Sequence, residues 1–466
     1  MAKYQAYAEY QDSGVEWLGE IPSHWDLYSL KRSVDKCTNG FWGGEPDGRN
    51  DLCVLRVADF NRDNFTINED KLTLRSVLPK EAESRLLKKG DLLIEKSGGG
   101  EKTLVGCVVQ FDKDFPAITS NFVAKMTPNV ITDSKYLTYA FAHLYSGRVN
   151  FPSIKQTTGI QNLDSEAYLM EKFGFPSKNE QIQIANFLDH ETSKIDHLIE
   201  KQQQLIELLK EKRQAVISHA VTKGLDPNVP MKDSGVEWLG EVPEHWILSN
   251  LKYFASIQGG YAFNSDLFVE EGTQVLRIGN VYQNTLSLDR QPIYISNELV
   301  KNFKDFIVSK NDVLMSLTGT LGKRDYGFAI KVKTDEKYLL NQRVAKISPN
   351  LSKIDTDFMV YVLWSESYLT QLYSLPSGTK QANLSNSDVL GIQIVVPPSL
   401  EEQKDIAKYL KNKLLKFDDM ILKAESAISL MQERRTALIS AAVTGKIDVR
   451  NWQAPTLAGA QTELSA

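Results

Sequence analysis

The stretch closest to a phosphate-binding loop is Ser97-Gly98-Gly99-Gly100-Glu101-Lys102-Thr103. Such a loop needs Gly-Lys-Ser/Thr in succession, so that backbone amides and the lysine ammonium converge on one phosphate. Here Glu101 separates glycine from lysine and sets a carboxylate where the phosphate would lie, which argues against nucleotide binding. The corresponding stretch from Ser316 to Lys323 lacks the spacing as well. Of the six histidines, His24 and His245 each sit in a Pro-x-His-Trp corner, a pattern that reads as packing rather than proton transfer. No Cys-x-x-Cys or His-Glu-x-x-His suggests zinc, and no Gly-x-Ser-x-Gly suggests an activated serine. Pro397-Pro398 lacks the preceding Asn or Asp and the following aromatic of an amino-methyltransferase motif. The residues point to a chain without catalysis, metal or cofactor of its own.

Binding chemistry is better represented. Glycine-rich loops carry amides, hydroxyls and cations, the groups that approach a polar polymer closely. In the first half these are Asn39 and Trp42; Ser97, Gly98, Gly99, Lys102 and Thr103; Asn121; and Thr157, Thr158 and Gln161. In the second half they are Gln258 and Tyr261; Thr318, Thr320, Lys323 and Arg324; Gln342 and Arg343; and Thr379, Lys380 and Gln381. Asn and Gln can bond adenine edges in two places, Arg and Lys can take guanine, and hydroxyls and amides can hold phosphates. The same residue types fill ordinary turns, so each loop alone says little. Their recurrence at equivalent places with altered side chains is the signal.

That recurrence belongs to a repeat. Asp12 to Lys31, DSGVEWLGEIPSHWDLYSLK, returns as Asp233 to Lys252, DSGVEWLGEVPEHWILSNLK, with about three quarters of positions identical. The offset of 221 residues persists faintly through the middle (Leu55-Arg56-Val57 with Leu276-Arg277-Ile278) and becomes 222 near the end (Arg213 with Arg435). Each half therefore has a nearly fixed leading segment, a divergent body and a well-matched exit. Matched flanks around unlike bodies indicate flanks that do one job twice and bodies that do different ones.

The exits read as helices. Apolar recurrence every seven residues marks a coiled-coil seam at Leu188, Ile195, Gln202, Leu209 and Val216, and again at Leu410, Phe417, Ala424, Met431 and Leu438. Each run of about 40 residues spans ~60 Å and needs a partner for its stripe. The other copy is the natural one, paired antiparallel about a pseudo-two-fold axis. The bodies read as short β-rich runs between Gly- and Asn-rich turns, with amphipathic helices near Lys135 to Arg148 and Asp357 to Tyr373. The expected fold is α+β: two domains in tandem pseudo-two-fold repeat, separated by a pair of long antiparallel coiled-coil helices. The expected boundaries are 1–178 and 225–399 for the domains with their leading segments, 179–224 and 400–448 for the helices, and 449–466 for a disordered tail.

A net charge of −5 sits below that of many DNA-binding domains, so any cationic surface must be local or shared with basic partners. No apolar run approaches the length of a membrane span. The three cysteines, Cys37, Cys53 and Cys107, lack metal-ligand spacing and read as free thiols of a cytoplasmic protein.

The twice-written DSGVEWLGE-(I/V)-P-x-HW, the divergent bodies and the exit EQ-x-x-IA-x-(F/Y)L together resemble the specificity subunits of Type I restriction-modification systems. The likeness covers the chain except its tail. It implies that each body is a target-recognition domain reading one half of a bipartite, gapped site in double-stranded DNA. It also implies that the helices space the domains and dock two methyltransferase subunits, which restriction subunits then join. Catalysis, S-adenosylmethionine and ATP would belong to those partners. The competing expectation is a coiled-coil scaffold that binds no DNA.

Overall fold

The computed structural model describes residues 4–98, 103–157, 159–375 and 380–454. Gly99, Lys102, Thr158 and Thr379, and the tail from residue 455, lie outside them. The chain divides into two units. The first comprises Met1–Gln202 with Ser426–Ala466, and the second is Gln203–Glu425. Each holds one α+β body and one half of each long helix.

In the first unit, a four-stranded antiparallel sheet runs in the order Val108–Gln110, Leu92–Glu95, Val123–Pro128, Val34–Asn39. Its two central strands are buried on both faces, through Leu92, Leu93 and Ile94 and through Val123, Ala124 and Met126. The helix Ser134–Ser146 covers this core through Tyr136, Leu137, Ala140, Phe141 and Leu144, an i, i+1, i+4, i+5, i+8 stripe. A second sheet contains a parallel pair, Asp51–Leu55 with Ala117–Thr119.

The second unit repeats this plan, although its second sheet has five strands where the first unit's has three. Its antiparallel sheet is Ala329–Lys331, Val313–Ser316, Val344–Pro349, Ala255–Gly259, and its parallel pair is Thr273–Leu276 with Tyr338–Leu340. The helix expected as one run from Asp357 to Tyr373 is two, Thr356–Trp364 and Glu366–Ser374. Buried Ser365 takes an extended conformation between them and caps the second.

The leading segments and the exits are structurally one device. In the first unit Tyr7 Oη, Trp25 Nε1 and His24 Nε2 meet the Glu180 carboxylate at 2.7, 3.0 and 3.0 Å. In the second unit Trp246 Nε1 and His245 Nε2 meet Glu402 at 2.9 and 3.2 Å. The next residue, Gln181 or Gln403, is buried and fully used. Its Oε1 accepts from the backbone N–H of Asp133 or Asp355 at 2.8 or 2.7 Å, the residue that caps the body's helix. The EQ pair thus ties the start of each long helix to both the leading segment and the body. This accounts for the near-identity of the flanks.

The first long helix is Lys178–Lys223, 46 residues, and the second is Leu400–Val443, 44 residues. Each is about 65–70 Å long. In the first unit Asp196 pairs with Arg435 at 2.9 Å, and in the second Asp418 pairs with Arg213 at 3.3 Å. Rising numbers on one helix meet falling numbers on the other, so the helices run antiparallel. The seam positions Leu188, Ile195, Leu209, Leu410 and Ala424 are buried, and Gln202, Val216, Phe417, Met431 and Leu438 are half-buried.

The residues just past the expected boundary at 449 are placed against the first unit's core. Val449 is buried, Asp448 N–H donates to the Gln5 carbonyl at 2.7 Å, and the Trp452 ring lies 5.5 Å edge-on from Phe187. The physical reason is that the helix end leaves an apolar corner over Phe187 and Tyr7, and Ile447, Val449 and Trp452 fill it.

Candidate nucleic-acid interface

The polar loops of each body converge at one end of its antiparallel sheet. In the first body the strand Val34–Asn39 ends beside the turn Ser120–Val123. Gly40 N–H donates to the Val123 carbonyl at 3.1 Å, and Phe41 N–H to Thr119 at 2.7 Å. A Cβ on Gly40 would sit 2.1 Å from the Ser120 carbonyl oxygen, so only glycine allows this approach. Lys96 joins the two loops, with Nζ donating to Asn39 Oδ1 at 2.7 Å. Ser97 and Gly98 pair with Asn162 and Gln161, and Ser97 Oγ donates to Asn162 Oδ1 at 2.6 Å. Thr157 ends the hairpin strand Ile154–Thr157, which pairs with Ile160–Leu163.

Two of the expected surface residues turn out to support the loops from inside. Gln161 is only 5 % exposed, and its Oε1 accepts from Val105 N–H at 3.1 Å. Thr318 is 8 % exposed within the strand Thr318–Thr320. Asn162, the strand neighbour of Gln161, is exposed instead, an alternation that the spacing in a short hairpin could not reveal without its register. Trp42 lies half-buried on the second sheet of its body, with the Arg75 guanidinium 4.6 Å over its ring. Thr103 and Asn121 are exposed.

The second body builds the same convergence. Gly260 N–H donates to Val344 at 3.1 Å, Tyr261 N–H to Leu340 at 2.8 Å, and Gln342 N–H back to Tyr261 at 3.0 Å. Thr318, Gly319 and Thr320 pair with Asn383, Ala382 and Gln381. Leu321 N–H donates to the Lys380 carbonyl at 3.3 Å. Tyr261 is 41 % exposed and heads an aromatic group with Phe263, Phe303 and Phe306, whose centroids lie 5.1–5.3 Å from its own. Gln258 is half-buried, with Nε2 donating to the Asp305 carbonyl. Lys323, Gln342, Arg343, Lys380 and Gln381 are exposed. Arg324 is already engaged, paired with Glu366 at 2.7 Å and stacked 5.1 Å over Tyr373.

Beneath the first body's loops lies a pair with no counterpart in the second. Arg62 Nη2 donates to Glu95 Oε2 at 3.0 Å, and Glu95 is fully buried. Burial pushes its carboxyl above the usual carboxylate range, with Arg62 pulling the other way. Sequence reasoning passed over this pair, and over Lys96 and Phe122, because none lies in a glycine-rich run.

The arrangement offers amides, carboxamides, hydroxyls and cations on a firm scaffold. Among the described residues no group of three His, Cys, Asp or Glu is placed to hold a metal ion. The sequence profile of the Type I restriction modification DNA specificity domain matches residues 60–208 and 243–424. The chain belongs to this family. Among similar proteins, the Type I restriction enzyme MjaVIII specificity subunit of Methanocaldococcus jannaschii is 28 % identical over 339 residues, covering 72 % of this chain and 75 % of the relative. The putative Type I restriction enzyme MjaX specificity subunit of the same organism is 26 % identical, covering 93 % of this chain and 96 % of the relative. In fold, the chain is similar to a solved structure described under complex assembly and conformational transition of the type I R-M system. There the TM-score is 0.68 at 15 % identity, over 92 % of this chain and 99 % of the other. The HsdS subunit from Thermoanaerobacter tengcongensis matches with a TM-score of 0.50 at 13 % identity, over 92 % of this chain and 98 % of the other.

Proposed function

We propose that this chain is the DNA-reading specificity subunit of a Type I restriction-modification enzyme, in which each body reads one half of a bipartite, gapped site. The observation that carries the reading is the repeated convergence of loops on one backbone scaffold with different side chains. Two readers of different sequences need that combination, whereas a scaffold that only joins proteins has no use for it. Residues 1–178 and 225–399 would be the recognition domains, and 179–224 and 400–448 the helices that carry them.

The methyltransferase and restriction subunits, with S-adenosylmethionine and ATP, supply the chemistry, and this chain supplies the address. The long helices are suited to docking two methyltransferase subunits. The first leaves Leu198, Leu205 and Leu208 exposed, and the second Leu415, Leu422 and Leu430. Apolar groups in such rows favour a protein partner. No helix among the described residues is long and apolar enough to cross a membrane.

The test is selection of bound duplexes from a random double-stranded DNA pool by the full chain assembled with its methyltransferase. A gapped two-part motif is expected. A stable assembly that selects no motif would favour the scaffold reading instead.

A further inference from the structure

Within the loops at the sheet end, one turn stands out in both bodies: Ser120-Asn121-Phe122-Val123 in the first and Asn341-Gln342-Arg343-Val344 in the second. Its backbone is fixed by the same bonds at the same offset. Val123 N–H donates to Ser120 at 3.0 Å, and Val344 N–H to Asn341 at 2.9 Å, closing the turn. Ser120 N–H donates to Leu55 at 2.9 Å, and Asn341 N–H to Leu276 at 3.1 Å. The Phe122 carbonyl accepts from Lys96 N–H at 2.8 Å, and the Arg343 carbonyl from Leu317 N–H at 3.0 Å. On the remaining side Gly40 and Gly260 press so close that a Cβ would lie 2.1 Å from the Ser120 oxygen and 2.2 Å from that of Asn341.

The turn is therefore rigid at its base, and only the two tip side chains remain at liberty. Asn121, Phe122, Gln342 and Arg343 are all exposed, Phe122 by 59 %. None of the four side chains enters a hydrogen bond or ion pair with a described residue. The Phe122 ring stands at a polar loop tip with most of its surface open to a ligand. A contact that merely held the DNA backbone would call for the same kind of group in both bodies, since phosphates do not vary with sequence. Here the scaffold keeps its bonds while the tip changes from Asn-Phe to Gln-Arg.

We infer that these two tips are the principal specificity-determining elements, with Arg343 reading a guanine in one half-site and Phe122 packing on a thymine methyl in the other. This rests on the DNA-reading function proposed above. Arginine matches guanine O6 and N7 with two donors, and an apolar side chain is the group that senses the thymine methyl. Asn121 and Gln342, one residue earlier on each tip, have the carboxamide that matches adenine N6 and N7. The half-sites are therefore expected to differ at the position each second tip residue meets and to share an adenine at the neighbouring one.

The experiment uses the full chain assembled with its methyltransferase and a duplex pool randomised in both half-sites. Arg343→Ala is expected to lose roughly ten- to hundredfold in preference for guanine at one position of one half-site, with the other half-site unchanged. Phe122→Ala should do the same to a thymine in the other half-site. The untouched half-site reports that each variant is folded. Arg343→Lys, which keeps the charge, should retain overall affinity and lose most of the guanine preference. An even loss of affinity over all sequences with the motif intact would make Arg343 a phosphate contact and overturn the inference, as would an unchanged motif at full affinity. Failure of the unaltered assembly to select any motif would instead refute DNA reading itself.

Discussion

Replacing Glu180 by alanine isolates what the repeated leading segment contributes. The carboxylate accepts from Tyr7 Oη and Trp25 Nε1, both on buried side chains, and from the more exposed His24. Burial first, and then the hydrogen bond to Glu180, hold the Tyr7 phenol well above its ordinary range, so it donates at every accessible pH. Alanine would strand two buried donors, each costing about 1–3 kcal/mol, while the loss at exposed His24 adds little. The expected cost is about 4 kcal/mol in the first unit. Among the described residues Glu402 holds one buried side-chain donor, Trp246 Nε1, so Glu402→Ala should cost about 2 kcal/mol in the second. Hydrogen exchange on the full chain resolves the two. In Glu180→Ala, opening free energies should fall in peptides spanning 20–31 and 178–190 and hold in those spanning 241–252 and 400–410. A fall below about 1 kcal/mol, or equal falls for the two variants, would refute the reasoning.

The remaining expectations concern pH, the helix pair and the turn scaffold. Burial depresses His143 from 6.5 to about 4, with Lys446 adding to the effect. The unfolded chain therefore binds a proton first, and stability present above pH 6.5 is lost as pH falls toward 4, by about 2–3 kcal/mol. Denaturant titrations across this range should flatten in His143→Gln. Arg435, 8 % exposed and lying over Phe65, should cost about 2 kcal/mol as alanine, whereas Arg213→Ala at its more open pair should cost under about 1 kcal/mol. Equal losses in chemical unfolding would contradict the difference in burial. Gly40→Ala should abolish selection of one half-site and Gly260→Ala of the other, because each Cβ collides with a carbonyl oxygen that fixes the turn. Selection from a random duplex pool reads both.

Much of this architecture is legible in the chain itself. The repeat predicts two like bodies, and the heptads predict the helices, with every seam position buried or half-buried. The Pro-x-His-Trp corner reads correctly as packing, but its partner glutamates lie more than 150 residues away, a pairing that spacing alone cannot supply. The break at Ser365 was hidden because serine in mid-helix is common and its buried capping bond depends on tertiary surroundings. Loop composition singled out polar loops in each half, and their meeting at the sheet end came from the strand pairing. It could not separate inward Gln161 from outward Asn162, since neighbours on a strand face opposite ways and only register says which is which. Lys96 and Phe122 lie outside the glycine runs and became visible only through the bonds that hold their turn.

The central claim is that the two bodies read different halves of one DNA site, and methylome sequencing of cells tests it most directly. The cells would express this chain with its methyltransferase, with residues 32–175 either native or exchanged for the corresponding body of another family member. The account predicts a gapped methylated motif in which the exchange rewrites one half and leaves the other half intact. A motif unchanged by the exchange, or methylation without any motif while the assembly remains stable, would contradict it.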